Sequence, residues 1–406
     1  MSATRYFPTP SDRMGFLWTL TSIEDCYVIE FGPAGTTHFA VEGVMELNAE
    51  HRMNVYTTHL SEVDITFGRY DKLAGAVREI DAAHRPGYIF VMASSVSALI
   101  GVDIESICLE LQDGVEARLI PAPYGGYDGD YNLGVERALL ALAQYVMKDC
   151  RPRERIYNLV GCNIDACHFE SDRTEIETMM EKVFGLKRNA CLTAYTSIEE
   201  IEKAPQAQFN LVIRAEGIKT AEFMKQKWGI PYVYGRPYGL SGTLSWLYGV
   251  AEEFGLAPDM DYLTGQAEEI RKYLGQYKRM LRRASCRDAV IYGDFDTAWG
   301  ISGLLEELGL SVRSVFVKHA PTGEKPEEER VVFKPPEDRL KDSVSGEYYA
   351  AFGDDTLRQL CGGKRFFQIA NPDMDRYRFY PLTPLVGFHG ALYLLQELMN
   401  REREKG

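Results

Sequence analysis

Two cysteines and a histidine lie within seven residues of one another in the segment 161–168. Thiolate sulfur and imidazole nitrogen are ligands of zinc and of iron–sulfur centres. The segment follows a strand-like run, and open α/β sheets bind ligands where their strands end. The sequence therefore predicts a metal site formed by Cys162, Cys167 and His168, with two ordinary loop cysteines, one of them partly buried, as the alternative.

Two histidines follow strand-like runs in the first part of the chain. His38 comes after the run at residues 27–31, and His59 comes after the run at residues 55–58. An imidazole titrates near neutral pH, so it is suited to delivering a proton during a reduction. We predict His38 and His59 as candidate catalytic residues, with hydrogen-bonded structural histidines as the alternative.

Arg214 follows another strand-like run, at residues 209–213. A guanidinium in this position suits an anionic substrate or the carboxylates of a tetrapyrrole, because it presents several N–H donors in a fixed plane. The sequence predicts a ligand-binding role for Arg214 and leaves a salt bridge to an acidic residue as an equal alternative.

A turn rich in glycine and proline stands directly after the run at residues 27–31 and leads to Thr36. Glycine lets the backbone bend sharply and approach a ligand closely, and such loops lie at the carboxyl ends of strands in α/β sheets. We predict that this turn, with Gly32, Gly35 and Thr36, faces a cofactor or another ligand.

The composition of the chain is that of a globular protein: 406 residues, of which 45% are hydrophobic and 26% are charged. Asp and Glu number 59 against 45 for Lys and Arg, which gives a net charge of −14. Such a chain repels phosphate backbones, so we predict no nucleic-acid partner. No apolar run approaches a membrane span and the N-terminus lacks the apolar core of a secretory signal, so we expect no membrane partner and a cytoplasmic location.

Strand-like and helix-like stretches alternate along the chain, and this alternation predicts parallel sheets covered by helices. Residues 1–22 have no regular pattern, residues 98–111 have helical periodicity, and residues 321–337 are rich in Pro and Glu and indicate a surface loop. The predicted strands form three groups: 27–31, 55–58, 88–93 and 118–121, then 156–160, 209–213 and 229–233, then 289–294, 312–317 and 366–369.

These groups predict three domains. The first covers residues 1–131, the second covers residues 132–283 with its connecting helices, and the third covers residues 284–406 with a closing helix at 387–400. Each is the size of one Rossmann-like unit, and together they form a weak internal repeat.

Several short segments, in order from about residue 8 to about residue 400, have the sequences of turns that mark a known family. They are residues 23–25, 31–35, 61–68, 100–105, 209–212, 227–231, 237–239 with Thr243, and 387–391. In their order and spacing they resemble the signature turns of the nitrogenase component 1 family, which includes nitrogenase and dark-operative protochlorophyllide reductase.

The resemblance implies an α/β fold of three Rossmann-like domains with parallel sheets around a central cleft. It also implies two partners. One is a homologous component 1 subunit in a homo- or hetero-oligomer, and the other is an ATP-hydrolysing iron–sulfur protein that delivers low-potential electrons.

The chain departs from this family where the family holds an iron–sulfur cluster near the subunit interface. The matching positions are the neighbourhood of Pro8 and Pro10, Thr36, and Ser94, and none of them is a cysteine. Hydroxyl groups are poor ligands for such a cluster, since soft thiolates bind its iron. The resemblance therefore places Thr36 and Ser94 in a cofactor-binding region from which the usual ligands are missing.

The ligands of the catalytic nitrogenase cofactor are also missing. The position that matches the family's cysteine is Arg214, and the position that matches its histidine is Tyr377. This difference argues against dinitrogen reduction by the chain.

Two functional hypotheses follow from the resemblance and its departures. The first is an oxidoreductase subunit that takes low-potential electrons from an iron–sulfur ATPase and reduces a small molecule or a tetrapyrrole-like substrate, with any iron–sulfur cluster supplied in part by a partner subunit. The alternative is a non-catalytic subunit that binds or assembles a metallocluster or a tetrapyrrole. The missing ligands favour the alternative, and the family as a whole favours the first.

Overall fold

The computed structural model of the protein describes residues 9–45, 53–67, 69–322, 328–363, 365–373 and 382–403. Within them the chain forms three sheets in succession, and the strands of every sheet are parallel to their neighbours. Helices connect the strands. The predicted fold class, an α/β chain of Rossmann-like units with parallel sheets, is confirmed.

The first sheet consists of β1 (Tyr27–Phe31), β2 (Asn54–Thr57), β3 (Tyr88–Ala93) and β4 (Arg118–Ala122). Its strand order is β2-β1-β3-β4. All six residues of β3 are buried, as expected of a central parallel strand that helices cover on both faces. The strands are mainly apolar, with few polar residues such as Glu30 and Arg118, and this made them predictable.

The helices of the first unit are α1 (Asp12–Thr21), α2 (Ala34–Met45), α3 (Glu62–Thr66), α4 (Asp71–His84), α5 (Ser95–Leu99) and α6 (Ile104–Gln112). Two predictions here were wrong. Residues 1–22 were expected to be irregular, but all ten residues of α1 are buried, so the helix has no polar face to reveal its period. The helix predicted at 98–111 is two helices, separated at Gly101, whose φ is +74°.

The second unit consists of α7 (Tyr131–Ala141), a π-helical turn (Leu142–Val146), β5 (Ile156–Cys162), α8 (Phe169–Phe184), β6 (Lys187–Thr193), α9 (Ile198–Glu202), β7 (Phe209–Val212), α10 (Ile218–Trp228), β8 (Tyr232–Tyr234), α11 (Gly239–Phe254) and α12 (Met260–Leu281). Short 3-10 turns lie at Ala204–Gln206 and Ala215–Gly217. The strand order is β6-β5-β7-β8. The sequence did not predict β6, an edge strand that begins with the polar residues Lys187, Arg188 and Asn189.

The third unit consists of β9 (Asp288–Gly293), α13 (Phe295–Leu308), β10 (Ser311–Val317), β11 (Val331–Phe333), α14 (Glu337–Ser343), β12 (Ala350–Gly353), α15 (Asp355–Leu360), β13 (Phe366–Gln368) and α16 (Gly387–Arg403). The strand order is β11-β10-β9-β12-β13. The region 321–337 was expected to lack regular structure, but its residues 331–333 pair with β10 at the sheet edge. The four residues of β12 were also missed, because so short a run has no distinct pattern.

The carboxyl ends of the second and third sheets face each other. Asn371, which follows β13, donates from Nδ2 to the carbonyl of Asp165, which follows β5, at 3.1 Å. The segment before α7 joins the third unit as well, since Asp130 accepts from the backbone N–H of Ala320 at 2.7 Å. The strand ends of two units therefore enclose one interior region. The domain boundaries after residues 131 and 283 stay predictions.

No helix among the described residues is long and apolar enough to cross a membrane.

Candidate functional site

The turn after β1 packs tightly against the loop after β3. A Cβ atom on Gly32 would lie 2.3 Å from Cβ and 2.5 Å from Oγ of Ser94, and 3.3 Å from Oγ1 of Thr36. Only glycine fits in this space. The structure thus brings together three of the predicted cofactor-binding residues, Gly32, Thr36 and Ser94, whereas Gly35 is exposed and has open space around its Cα.

The hydroxyl groups at the two cluster-matching positions are both engaged by the protein. Oγ1 of Thr36 hydrogen-bonds to the carbonyl of Pro33 at 2.8 Å and to Oε1 of Glu30 at 3.1 Å. Ser94 is fully buried and caps α5, where its Oγ accepts from the backbone N–H of Ser97 at 3.1 Å. Each hydroxyl completes local structure.

A buried ion pair lies beneath Thr36. Nη1 of Arg13 on α1 donates to Oε1 of Glu30 on β1 at 2.8 Å, and the side chains are 5% and 1% exposed. Burial raises the pKa of the Glu30 carboxyl, and Arg13 opposes that shift. Two neutral hydroxyls and a carboxylate that is paired within the protein do not form a thiolate set, so these residues do not fit an iron–sulfur cluster.

The two predicted catalytic histidines are exposed on the first unit. His38 lies on α2, and His59 lies in the loop after β2 with a φ of +50°. The carbonyl of His59 accepts from Nζ of Lys72 at 3.0 Å. Neither histidine lines the interior cavity described below. Their catalytic role stays a prediction.

Arg214 lies in a buried charged group between the second and third units. Its Nη1 donates to both carboxylate oxygens of Asp165, at 2.8 and 3.0 Å, and its Nε donates to Glu216 at 2.7 Å. Although burial disfavours its charge, the two carboxylates raise the pKa of Arg214 above its usual value. The geometry matches the salt-bridge alternative, and a ligand-binding role stays a prediction.

Two of the predicted metal-binding residues, Cys162 and His168, contact different backbone carbonyls. The Cys162 thiol donates to the carbonyl of Phe169 at 3.4 Å. Its neighbour Cys191 and burial raise the pKa of the Cys162 thiol well above its usual value. Nδ1 of His168 contacts the carbonyl of Thr383.

Within the described part of the chain, no three His, Cys, Asp or Glu residues form a group that could hold a metal ion. A metal at Cys162, Cys167 and His168 therefore stays a prediction without geometric support. The sequence did not point to Cys191 as the neighbour of Cys162, because Cys191 belongs to the unpredicted strand β6.

A central cavity of about 70 Å³ lies where α1 and α7 meet the strand ends of the second and third units. Its wall includes Trp18, Tyr131, Asp165, Lys318, Asp354 and Asn371. We call this space the central cavity. Tyr377, which matches the family's histidine ligand, lies outside the described residues.

Lys318 provides the positive charge of the cavity wall. Its Nζ donates to the carbonyl of Asn371 at 2.6 Å and lies 3.4 Å from Asp294, whose carboxylate also accepts from the Tyr131 hydroxyl. Burial alone would lower the pKa of Lys318, but Asp294, Asp354 and other nearby groups raise it. The lysine is therefore charged within a negative environment.

Burial shifts the pKa of Asp354, an acid, in the direction opposite to its effect on Lys318. Burial raises the pKa of its carboxyl to about 7, against which Lys318 acts only partly. Its Oδ1 accepts from the backbone N–H groups of Thr356 and Leu357 at 2.9 and 3.2 Å, which caps α15. Sequence reasoning missed both Lys318 and Asp354. Each directly follows a strand, β10 or β12, and that position was the available signal.

A chain of three parallel-sheet units that share an interior cavity belongs to the class of multi-unit Rossmann-like α/β proteins. Comparison with family models narrows this class: the model of the nitrogenase component 1 type oxidoreductases matches residues 11–402. The chain belongs to this family, and the resemblance found in the sequence is confirmed.

Similar curated proteins are named nitrogenase iron-molybdenum cofactor biosynthesis protein NifE. The one from Clostridium pasteurianum is 31% identical over 239 residues, which cover 58% of this chain and 52% of the relative. The one from Methanococcus maripaludis is 26% identical over 304 residues, 72% of this chain and 62% of the relative. The one from Sinorhizobium fredii is 26% identical over 364 residues, which cover 84% of this chain and 71% of the relative. The chain thus spans between about half and two thirds of the first two relatives.

A solved structure titled "Nitrogenase Cp1 at pH 6.5" aligns with the whole of this chain and with 94% of its own, at a TM-score of 0.84 and 18% sequence identity. At that identity the likeness supports the shared fold only.

Proposed function

We propose that this chain is a non-catalytic binding subunit of a nitrogenase component 1-type assembly. It pairs with a second subunit of the family, binds a ligand in the central cavity, and holds no electron-transfer cluster of its own. The relatives named as cofactor biosynthesis proteins support a role in assembly over one in turnover.

One observation above all supports this proposal: the hydroxyls of Thr36 and Ser94 occupy the cluster-matching positions and are bound by the protein itself. A cluster there would need sulfur ligands, whereas the hydroxyl of Thr36 is bonded to Glu30 of the buried Arg13–Glu30 salt bridge. This chain's own residues therefore provide no cluster to accept the incoming electrons.

The first unit has a face suited to a partner. Val63, Phe67, Leu99 and Tyr127 are exposed apolar or aromatic residues in the segments that follow strands β2, β3 and β4. The Tyr127 hydroxyl donates to the carbonyl of Ser95 at 2.9 Å, so this side chain lies against α5. Exposed apolar groups of this kind favour a protein contact. We assign this face to the homologous subunit.

A reductase role is the second candidate, and the exposed His38 and His59 favour it. Both lie on the first unit, where a partner could present a cluster and a substrate, and imidazoles suit proton delivery. In this case the partner supplies every sulfur ligand, and electrons come from an iron–sulfur ATPase.

The two candidates differ in iron content and turnover. The full chain is purified without oxygen, alone and co-produced with a second family subunit, and iron, acid-labile sulfide and visible absorption are measured. The proposal expects no stoichiometric iron in the chain alone, whether unmodified or as Cys162→Ser or Cys167→Ser. Iron at cluster stoichiometry in the unmodified chain alone would overturn it, and loss of that iron in either variant would place the cluster at these cysteines.

A complex that carries a cluster is then tested with an ATP-dependent reductase and a tetrapyrrole substrate. Turnover that falls in His38→Ala or His59→Ala, with the complex still assembled, would establish the reductase candidate. If the assembled complex shows no turnover, the result supports the proposal that the chain is a binding subunit.

A further inference from the structure

Two buried polar atoms in the wall of the central cavity have no partner. The indole Nε1 of Trp18 is a donor on a side chain only 4% exposed, and Oδ1 of Asn371 is an acceptor on a side chain only 3% exposed. Both residues line the cavity. Unpaired buried polar groups cost stability, so a donor and an acceptor left open around one cavity point to a bound molecule.

The orientation of the Asn371 amide is fixed by its neighbours. The side-chain Nδ2 donates to the backbone carbonyl of Asp165 at 3.1 Å, and Nζ of Lys318 donates to the backbone carbonyl of Asn371, not to its side chain, at 2.6 Å. The side-chain oxygen, not the nitrogen, therefore remains open. The molecule that completes this site needs an N–H or O–H donor for Asn371 and an acceptor for Trp18.

The charges around the cavity disfavour an anion. Lys318 faces Asp294, Asp354 and Asp165, and Asp165 is shared with the guanidinium of Arg214. Because Lys318 and Arg214 are already paired with carboxylates, neither offers an unpaired positive charge to a bound anion. Metalloclusters with negative charge and carboxylate-bearing tetrapyrroles fit this environment poorly.

The size of the cavity sets the size of the molecule. One water needs about 10–15 Å³ of such space. The central cavity, at about 70 Å³, therefore holds a few non-hydrogen atoms. Gly43 keeps it open next to the indole, because a Cβ there would lie 3.8 Å from Nε1 of Trp18 and 2.7 Å from Cε of Met14.

We propose that the central cavity binds a small uncharged amide-type molecule, whose N–H group donates to Oδ1 of Asn371 and whose carbonyl accepts from the Trp18 indole. An amide carries the donor and the acceptor in one small planar group, while a simple ammonium or guanidinium ion has no acceptor for Trp18. The inference rests on the proposed function, because it takes the central cavity as the binding site.

Acetamide and acetate are the matched probes, since they have the same size and shape and differ in charge and in the N–H donors. Binding to the full chain is measured by isothermal calorimetry and by the shift of the thermal midpoint. We expect acetamide to bind with a Kd on the order of 1 mM, as suits so small a ligand, and acetate to bind at least about tenfold more weakly. Equal or tighter binding of acetate, or no binding of acetamide, overturns the inference and leaves a water-filled cavity.

Two tryptophan variants test the donor. Trp18→Phe removes the N–H and keeps an aromatic ring, and we expect acetamide affinity to fall at least about tenfold. Trp246→Phe is the control, because the Nε1 of Trp246 is also buried without a partner but does not line the cavity. Equal losses in both variants, or none in Trp18→Phe, would contradict the assignment.

The acetate comparison in the unmodified chain decides the case even if Trp18→Phe fails to fold. Iron content tells the two proposals apart. A chain with a cluster of its own contradicts the proposed function, whereas an iron-free chain that does not bind acetamide contradicts only this inference.

Discussion

Arg13 and Glu30 form a salt bridge of 2.8 Å, almost wholly out of contact with solvent, between the first helix and the first strand. Glu30 also accepts from the hydroxyl of Thr36 at 3.1 Å, and Thr36 is the residue that the sequence resemblance predicts at a cluster-ligand position. In this chain the turn after β1 therefore packs against an internal ion pair.

Glu30→Gln should be strongly destabilising, because it leaves the Arg13 guanidinium buried without a counter-charge. We expect a loss of about 3–5 kcal/mol in the free energy of unfolding, measured by urea denaturation. Lys203→Met breaks the exposed pair between Lys203 and Glu199 and should cost less than about 1 kcal/mol. Similar losses of unfolding free energy in the two variants would show that the buried pair contributes no more to stability than the exposed pair.

Gly32→Ala tests the tight contact between the turn and the loop after β3. The new methyl group would lie 2.3 Å from Cβ of Ser94, so we expect a loss of about 1–3 kcal/mol. Gly35→Ala is the matched control, since nothing lies within 4 Å of its Cβ position. It should be neutral or stabilising, because Gly35 lies in α2 and alanine favours a helix. Chemical denaturation of both variants checks the contrast.

Asp354 should make stability depend on pH. Burial raises the pKa of its carboxyl to about 7, above the usual value of 3.8. The folded state then binds more protons than the unfolded state between these values, so stability present at low pH is lost as the pH rises through about 7.

Asp354→Asn removes this titration and keeps an oxygen that caps α15. We expect the variant to exceed the unmodified chain in stability at pH 8 by up to about 4 kcal/mol, with the difference shrinking toward pH 4. Urea denaturation across this range measures the difference. Asp261→Asn, at an exposed position, is the control and should follow the unmodified profile. A constant difference at all pH values would contradict the assignment.

His389 should show a smaller effect at the start of α16. Its Nδ1 lies 2.6 Å from Oε2 of Glu175, and this hydrogen bond raises the pKa of the imidazole. The stabilisation is fully present below the usual pKa of about 6.5 and is lost as the pH rises through the raised value. Because His389 is half exposed, we expect His389→Gln to cost at most about 1 kcal/mol at pH 6 and nothing well above the raised pKa. A cost that is unchanged at high pH would contradict this reading.

The parts of the fold that the sequence predicted are those with a clear hydrophobic period. β3 is a continuous apolar run and β1 is apolar except for Glu30, and parallel strands covered on both faces favour such runs. By contrast, α1 is buried on every side and β6 begins with polar residues at a sheet edge, so neither has the expected pattern. Their positions depend on tertiary packing.

Only the part of the candidate site that lies near strand ends was predictable from the sequence. The turn at Gly32 and its closeness to Thr36 and Ser94 follow from motifs near the ends of strands. The partner of Glu30 was not predictable, because Arg13 lies on the unpredicted helix α1. Lys318 and Asp354 meet Asp165 and Trp18 only when two sheets and α1 come together, which no local sequence pattern records.

We propose that this chain is a binding subunit without an electron-transfer cluster of its own. The most direct test of this role is the iron and acid-labile sulfide content of the full chain, purified without oxygen. We predict no stoichiometric iron or sulfide. Iron and sulfide in the proportions of a cluster, bound by the chain alone, would contradict the account.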